Sequence, residues 1–214
     1  MNKRTGVITV EKRLFKQFRD TGREIFLRGL ISSHAGNISV RIGKAIYITT
    51  RASMIGQLKS SDIIKVPLEE NNPALLNMAS SETPVHMAIY KYTDARAIIH
   101  THPPYATLLS MIKDMLVPVD WEGKCLLNKV PVIALQKNKE AEEKAHIIGR
   151  LMKDYKTVLI RGHGSFVRGD TLEEAYMLTS SLEASSFFLY HLKHITTSFP
   201  MTRLCHINKK GTEL

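Results

Sequence analysis

ISVRIGKAIYIT, residues 38–49, is the stretch on which the fold turns. Ile38, Val40 and Ile42 alternate with polar or smaller residues before Gly43, and Ile46 and Ile48 continue the alternation after it. Period-two alternation broken by a glycine reads as two strands joined by a tight reversal. Strands that close together can only be antiparallel, because parallel neighbours need a crossover of a dozen residues or more.

Working outward, residues 9–30 (TVEKRLFKQFRDTGREIFLRGL) set Leu14, Phe18, Ile25 and Phe26 at helical intervals among charges. This predicts an amphipathic helix, with a break near Gly22 and a stop at Gly29. LKSSDIIKVPLEE (58–70) reads as a turn and a strand, and EENNP (69–73) as an exposed loop. Helices are predicted over 82–91, with Pro84 in the first turn, and from HPPYATLLSMI (102–112) after its two prolines. Further helices are expected over 139–155 and 171–193, the last capped by Asp170 or Thr171. ARAIIHTH (95–102) is a short apolar run read as a buried strand ending in histidines, and TVLIRGHG (157–164) reads as a strand followed by a loop that carries His163.

Strands alternate with helices, yet the hairpin excludes a purely parallel sheet. The predicted class is therefore α/β: one domain with a mixed, mainly antiparallel sheet between helices, a three-layer arrangement. At 214 residues and 43% hydrophobic content the chain suffices for one core without staples. The domain is expected to span residues 1–214, with a core over about 10–193 and a tail over 194–214 that serves as a flexible end or a site cover.

Lys and Arg outnumber Asp and Glu by 30 to 20, a formal charge of +10. The cations are scattered singly and in pairs from Lys3 to Lys210, without the blocks or base-stacking aromatics of a nucleic-acid binder. A basic surface that attracts small anionic metabolites is the better reading. No run reaches the ~18–20 apolar residues of a membrane span, and the first residues lack a signal-peptide core. Cys125 and Cys205 match neither a redox nor a zinc-ribbon spacing. A soluble, cytoplasmic protein with reduced thiols is expected.

His100-Thr101-His102 is the sharpest local signal, since residues i and i+2 of an extended segment share a face and offer two imidazoles to one ion. His163 stands in a similar place after another apolar strand. Three imidazoles suit Zn²⁺ with a position left open, as in catalytic sites. The ordinary alternative for each histidine is a hydrogen-bonded side chain at a strand end. Glu82 follows Ser80 and Ser81 at a helix start, where it is either a simple cap or a carboxylate placed for chemistry. In HAGNISVR (34–41), Gly36 permits a turn and Asn37 adds an amide for a phosphate or carbonyl oxygen.

Taken in order, HAGNISVR, SSE, HTHPP and GHG (162–164) resemble the motif series of the class II aldolase/adducin family, over roughly residues 10–190. The resemblance implies zinc, or another divalent metal such as Mn²⁺ or Co²⁺, on His100, His102 and His163. It implies Glu82 as acid/base and as a candidate fourth ligand, and substrate phosphate on Gly36, Asn37, Ser80 and Ser81. The family's Thr-Gly phosphate pair corresponds to Arg51 and Ala52, and His34 stands where a smaller residue is usual, so the anionic group is expected to be held differently. The implied activity is aldol cleavage of a phosphorylated ketose of the L-fuculose-1-phosphate type through a metal-stabilised enediolate, in a homotetramer with active sites between subunits. Epimerisation of a ribulose phosphate, dehydration or decarboxylation fits the same metal site. A non-catalytic adducin-like interaction module is the alternative of another class. The family's second acid/base is a tyrosine, and Tyr105 reads equally well as that group or as a packing residue.

Overall fold

The computed structural model describes residues 4–69, 72–135 and 141–198. The hairpin forms as β1 (Asn37–Ile42) and β2 (Ala45–Thr49), antiparallel, reversing through Gly43 at φ +60°. Its register pairs Val40 with Tyr47 and Ser39 with Ile48. Paired residues share a face, so Ile38 and Val40 enter one core while Ile46 and Ile48 enter the other. The hairpin is therefore covered on both sides.

β3 (Ile63–Pro67) extends the sheet beyond β2, and β4 (Ala97–Thr101) pairs with β1 on the other side. Next come β8 (Gly164–Gly169), β7 (Thr157–Ile160), β6 (Val130–Ile133) and the short β5 (Met115–Leu116). The eight strands run in the order β3-β2-β1-β4-β8-β7-β6-β5, and only β6 and β7 are parallel. This is the mixed, mainly antiparallel sheet that the hairpin requires.

Helices α1 (Arg4–Leu27), α4 (Pro104–Ser110) and α7 (Leu172–Ser198) bury Phe18, Ile25, Leu109 and Leu178 on one face, against Ile38, Ile99 and Val167. On the other face α3 (Thr83–Tyr92) and α6 (Ala141–Leu151) bury Val85, Ile89 and Ile148 against Ile46, Ile98, Val158 and Phe166. Short helices α2 (Pro73–Met78) and α5 (Trp121–Leu126) complete the set.

Several expectations are corrected. α1 runs unbroken through Gly22, whose missing side chain admits the backbone of Ile55: a Cβ there would lie 2.1 Å from the Ile55 carbonyl oxygen. Helix α2 begins inside EENNP, at its Pro73, with Asn72 as cap accepting from the Leu75 N–H at 3.2 Å. GSFVRG (164–169), of which only the GHG end is read, as loop, is β8, and residues 113–135, where the sequence predicts no element, supply β5, α5 and β6. Thr171 caps α7 through its Oγ1, which accepts from the Glu174 N–H at 3.1 Å. Glu70, Asn71, residues 139–140 of the expected helix, and the tail from 199 on lie outside the described residues. Among the described residues no helix is long and apolar enough to cross a membrane.

Candidate metal centre and substrate cleft

β4 sits mid-sheet with every residue buried, and its period-two pleat sends Ile98 and His100 toward α3. The His100 ring stacks on Phe166 of β8, with centroids 4.2 Å apart and planes 20° off parallel. His100 Nδ1 lies 2.9 Å from the Ser165 carbonyl oxygen. A carbonyl can only accept, so Nδ1 carries the proton and Nε2 presents its lone pair. His102 lies just past the strand, where its N–H donates to the Leu30 carbonyl at 2.9 Å.

His163 comes from the turn between β7 and β8. Arg161 donates to the carbonyls of Ser110 and Met111 at 2.9 and 3.1 Å and pairs with Asp114, while the Gly162 N–H donates to Ser110 Oγ at 2.9 Å. These bonds fasten the turn to the end of α4. Gly164 has to be glycine, since a Cβ would stand 2.2 Å from the Thr101 carbonyl oxygen and 2.6 Å from the His102 ring.

The three rings converge, with centroid separations of 4.9, 5.0 and 4.8 Å. Nε2 of His100 and of His102 are 3.0 Å apart, and one ring nitrogen from each histidine lies within 4.8 Å of the others. Ligands of one tetrahedral zinc, bonded at ~2.0–2.1 Å, stand about 3.3 Å apart, so small ring rotations complete the set. Burial first, and then the neighbouring imidazoles, hold His100 well below the usual imidazole range. Burial first, and then His163, bring His102 down to about 4. Neutral imidazole is the form that binds metal, and the donor set fits a divalent cation.

Glu82 occupies the cap position of α3, yet its carboxylate makes no capping bond. Ser80 does that work: its carbonyl accepts from the N–H and Oγ1 of Thr83 at 3.0 and 2.6 Å, and its Oγ accepts from the Glu82 N–H at 3.3 Å. The carboxylate thus faces the histidines. Burial pushes its carboxyl up, and His163 and Lys144 partly pull it back.

One cleft of about 170 Å³ is lined by His100, His102, His163 and Glu82 together with Gly36, Asn37, Arg51, Ala52, Ser80 and Ser81. The ten residues read as metal ligands, acid/base or substrate contacts therefore come together. His34, Ala35 and Thr50 line it as well. Gly36 has φ +78°, and a Cβ would meet the His100 carbonyl oxygen at 2.8 Å. The loop consequently packs flat on the end of β4, with Asn37 registered opposite His100. The Ser80 N–H donates to the Thr49 carbonyl at 3.1 Å and the Arg51 N–H to the Met78 carbonyl at 2.9 Å, bringing the serines beside Arg51 and Ala52. Ala52 has φ +56°, the conformation that a glycine would take without strain.

Tyr105 does not line the cleft. It packs among Phe187, Tyr190 and His191, with its Oη 3.3 Å from His191 Nε2. No tyrosine lines the cleft among the described residues. A concavity of about 630 Å³ between α3 and α6 contains none of the ten site residues. Motif reading missed His86, Ser39 and Tyr90, which lie buried beneath Asn37. The one available signal was a histidine four residues after Glu82, on the same helical face.

Comparison with known proteins bears on family and fold. The model of the class II aldolase and adducin N-terminal domain matches residues 16–188. L-fuculose phosphate aldolase of Methanocaldococcus jannaschii is 33% identical over 172 residues, covering 78% of this chain and 91% of that one. The crystal structure of L-fuculose-1-phosphate aldolase from Thermus thermophilus superposes with a TM-score of 0.82 at 36% identity, over 87% of this chain and 98% of that one. The 3-oxo-tetronate 4-phosphate decarboxylase of Pectobacterium atrosepticum is 26% identical over 192 residues, 86% of this chain and 87% of that one.

Proposed function

The chain belongs to the class II aldolase and adducin family, and on that footing we propose that it is a zinc-dependent lyase cleaving a carbon–carbon bond of a phosphorylated ketose of the L-fuculose-1-phosphate type. The observation that carries this is the convergence of three imidazoles and an uncapped, half-buried carboxylate on one small cleft. An interaction module has no use for that convergence.

His100, His102 and His163 would hold the metal, which supplies Lewis acidity for the charge that bond cleavage leaves on the substrate oxygens. Glu82 would move the proton at the reacting carbon, its burial bringing its proton affinity toward the working pH. Gly36, Asn37, Ser80 and Ser81 would take the phosphate, and Arg51 adds a cation beside them. Dehydration and decarboxylation would use the same metal and carboxylate.

The test is a metal assay joined to a screen of phosphorylated ketoses with and without chelator. We expect about one zinc per chain, an aldehyde product, loss of turnover on chelation and recovery on adding zinc back. A metal-free, inactive chain would return the interaction-module reading. Carbon dioxide, or a dehydrated product without aldehyde, would move the reaction to decarboxylation or dehydration.

The protein is further proposed to be a cytoplasmic homotetramer with clefts between subunits. Leu108, Met111, Ile112, Val117 and Trp121 expose apolar surface along one stretch after the HTHPP motif, and Trp121 is 83% exposed. Exposed apolar side chains of this number and size fit burial against another copy. Light scattering should give four times the chain mass, and Trp121→Glu should lower it.

A further inference from the structure

Beneath the cleft runs a line of buried polar groups that neither the metal nor the proposed acid/base uses. Tyr90 Oη lies 2.8 Å from Ser39 Oγ, Ser39 Oγ lies 2.6 Å from His86 Nδ1, and His86 Nε2 lies 2.6 Å from Asn37 Oδ1. Asn37, Ser39, His86 and Tyr90 are all within 4% of complete burial. Asn37 alone among them lines the cleft.

A serine hydroxyl and a neutral imidazole each donate on one side and accept on the other, so the row can run in two directions. If it ran from Asn37 outward, Tyr90 would accept at its end and its own O–H would be left without an acceptor. Among the described residues Ser39 is the only hydrogen-bond partner of that phenol. A buried donor left unpaired is costlier than a paired one, so the phenol proton sets the direction. Tyr90 O–H donates to Ser39, Ser39 O–H donates to His86 Nδ1, and His86 Nε2–H donates to Asn37 Oδ1. Burial keeps His86 neutral by lowering it to about 3, as a one-donor, one-acceptor ring requires.

With its oxygen turned to His86 on the core side, Asn37 presents its NH₂ to the cleft. We propose that Tyr90, Ser39 and His86 are positioning residues that lock the Asn37 amide with its NH₂ toward the cleft, making this corner a donor site for a phosphate or carbonyl oxygen and hostile to a cation or hydroxyl donor. This rests on the anion-binding reading of the cleft given above. It extends that reading by assigning a polarity to Asn37 and a cause for it.

The direct test is the tautomer of His86 in the full chain, read from its ¹⁵N chemical shifts. The Nε2–H form with a bare Nδ1 is expected, and the Nδ1–H form would overturn the proposal. The second test is affinity for inorganic phosphate at equal zinc content. His86→Phe frees the amide and should weaken binding about tenfold, as for one misplaced hydrogen bond to an anion. His86→Gln, whose amide can still donate to Asn37, should recover to within about threefold of the parent. Tyr90→Phe removes the polarising proton and should also weaken phosphate, with zinc content unchanged. Parental affinity in both His86→Phe and Tyr90→Phe would overturn the proposal. If His86→Phe does not fold, Tyr90→Phe and the tautomer decide. A parent chain that binds no phosphate would sink the anion-site reading instead, while the tautomer would still report the direction of the relay.

Discussion

Glu82 shows how one side chain is turned from a structural part into a chemical one. Its sequence context suits a helix cap equally well, but Ser80 takes the capping bonds and leaves the carboxylate free. Glu82→Gln keeps the shape and removes the exchangeable charge. We expect turnover to fall by about 10²–10⁴-fold with zinc retained, and steady-state rates beside metal analysis check this. Parental turnover would remove Glu82 from the mechanism. Ala52 makes a second case, because a non-glycine residue in the left-handed region costs about 1–2 kcal/mol, of which glycine's unfolded-state freedom gives back about 0.5–1. Ala52→Gly should therefore stabilise the chain by about 0.5–1 kcal/mol, read as a higher urea midpoint at constant slope. The histidines, Glu82 and the Gly36-Asn37 pair were legible because their chemistry is carried by residue type within short motifs. His86 was not, because a histidine on an apolar helix face has the same local pattern whether it merely fills the core or orders a neighbour.

Helix α1 sets local propensity against packing. Gly22 reads as a break, and by propensity Gly22→Ala should gain about 1 kcal/mol. The helix is continuous, however, and the added methyl would overlap the Ile55 carbonyl. Overpacking of that kind costs about 1–3 kcal/mol and here meets backbone, which yields little. Packing wins, so Gly22→Ala should lower stability, with chemical denaturation as the measurement; a gain would mean that the Ile55 turn moves freely. The same contest explains the missed strand GSFVRG. Its flanking glycines look like loop punctuation, but Gly164 is there to let β8 pass the Thr101 carbonyl. The amphipathic helices and the β1–β2 hairpin were legible because their periodicity is internal to the segment. β6 was not: it is only four residues long, contains Pro131, and gains its partners from segments elsewhere in the chain.

The folded molecule holds His86, His100 and His102 neutral by burial, and this sets its response to acid. In the unfolded chain an imidazole takes up a proton below about 6.5, whereas folded His86 waits until about 3 and His102 until about 4. Between those values the unfolded state binds more protons. Stability is accordingly complete above about pH 6.5 and is lost as the pH falls toward 3, at up to about 1.4 kcal/mol per pH unit for each such group. Guanidinium unfolding between about pH 7.5 and 4.5 with chelator present should show this slope, and His86→Gln should flatten it; a flat parent profile would mean that these rings are not buried neutral. A mixed sheet between helix layers could be read from a hairpin set among alternating helices, and most of the residues that converge on the cleft from four short motifs. The order of the strands could not. β4 lies between β1 and β8, and that adjacency brings Asn37, His100 and Ser165 together across gaps of 63 and 65 residues. Periodicity in a segment reports that a face will be buried, a property of its own side chains. Which surface buries it depends on the free energy of contacts among distant segments, and those exist only once the chain has closed.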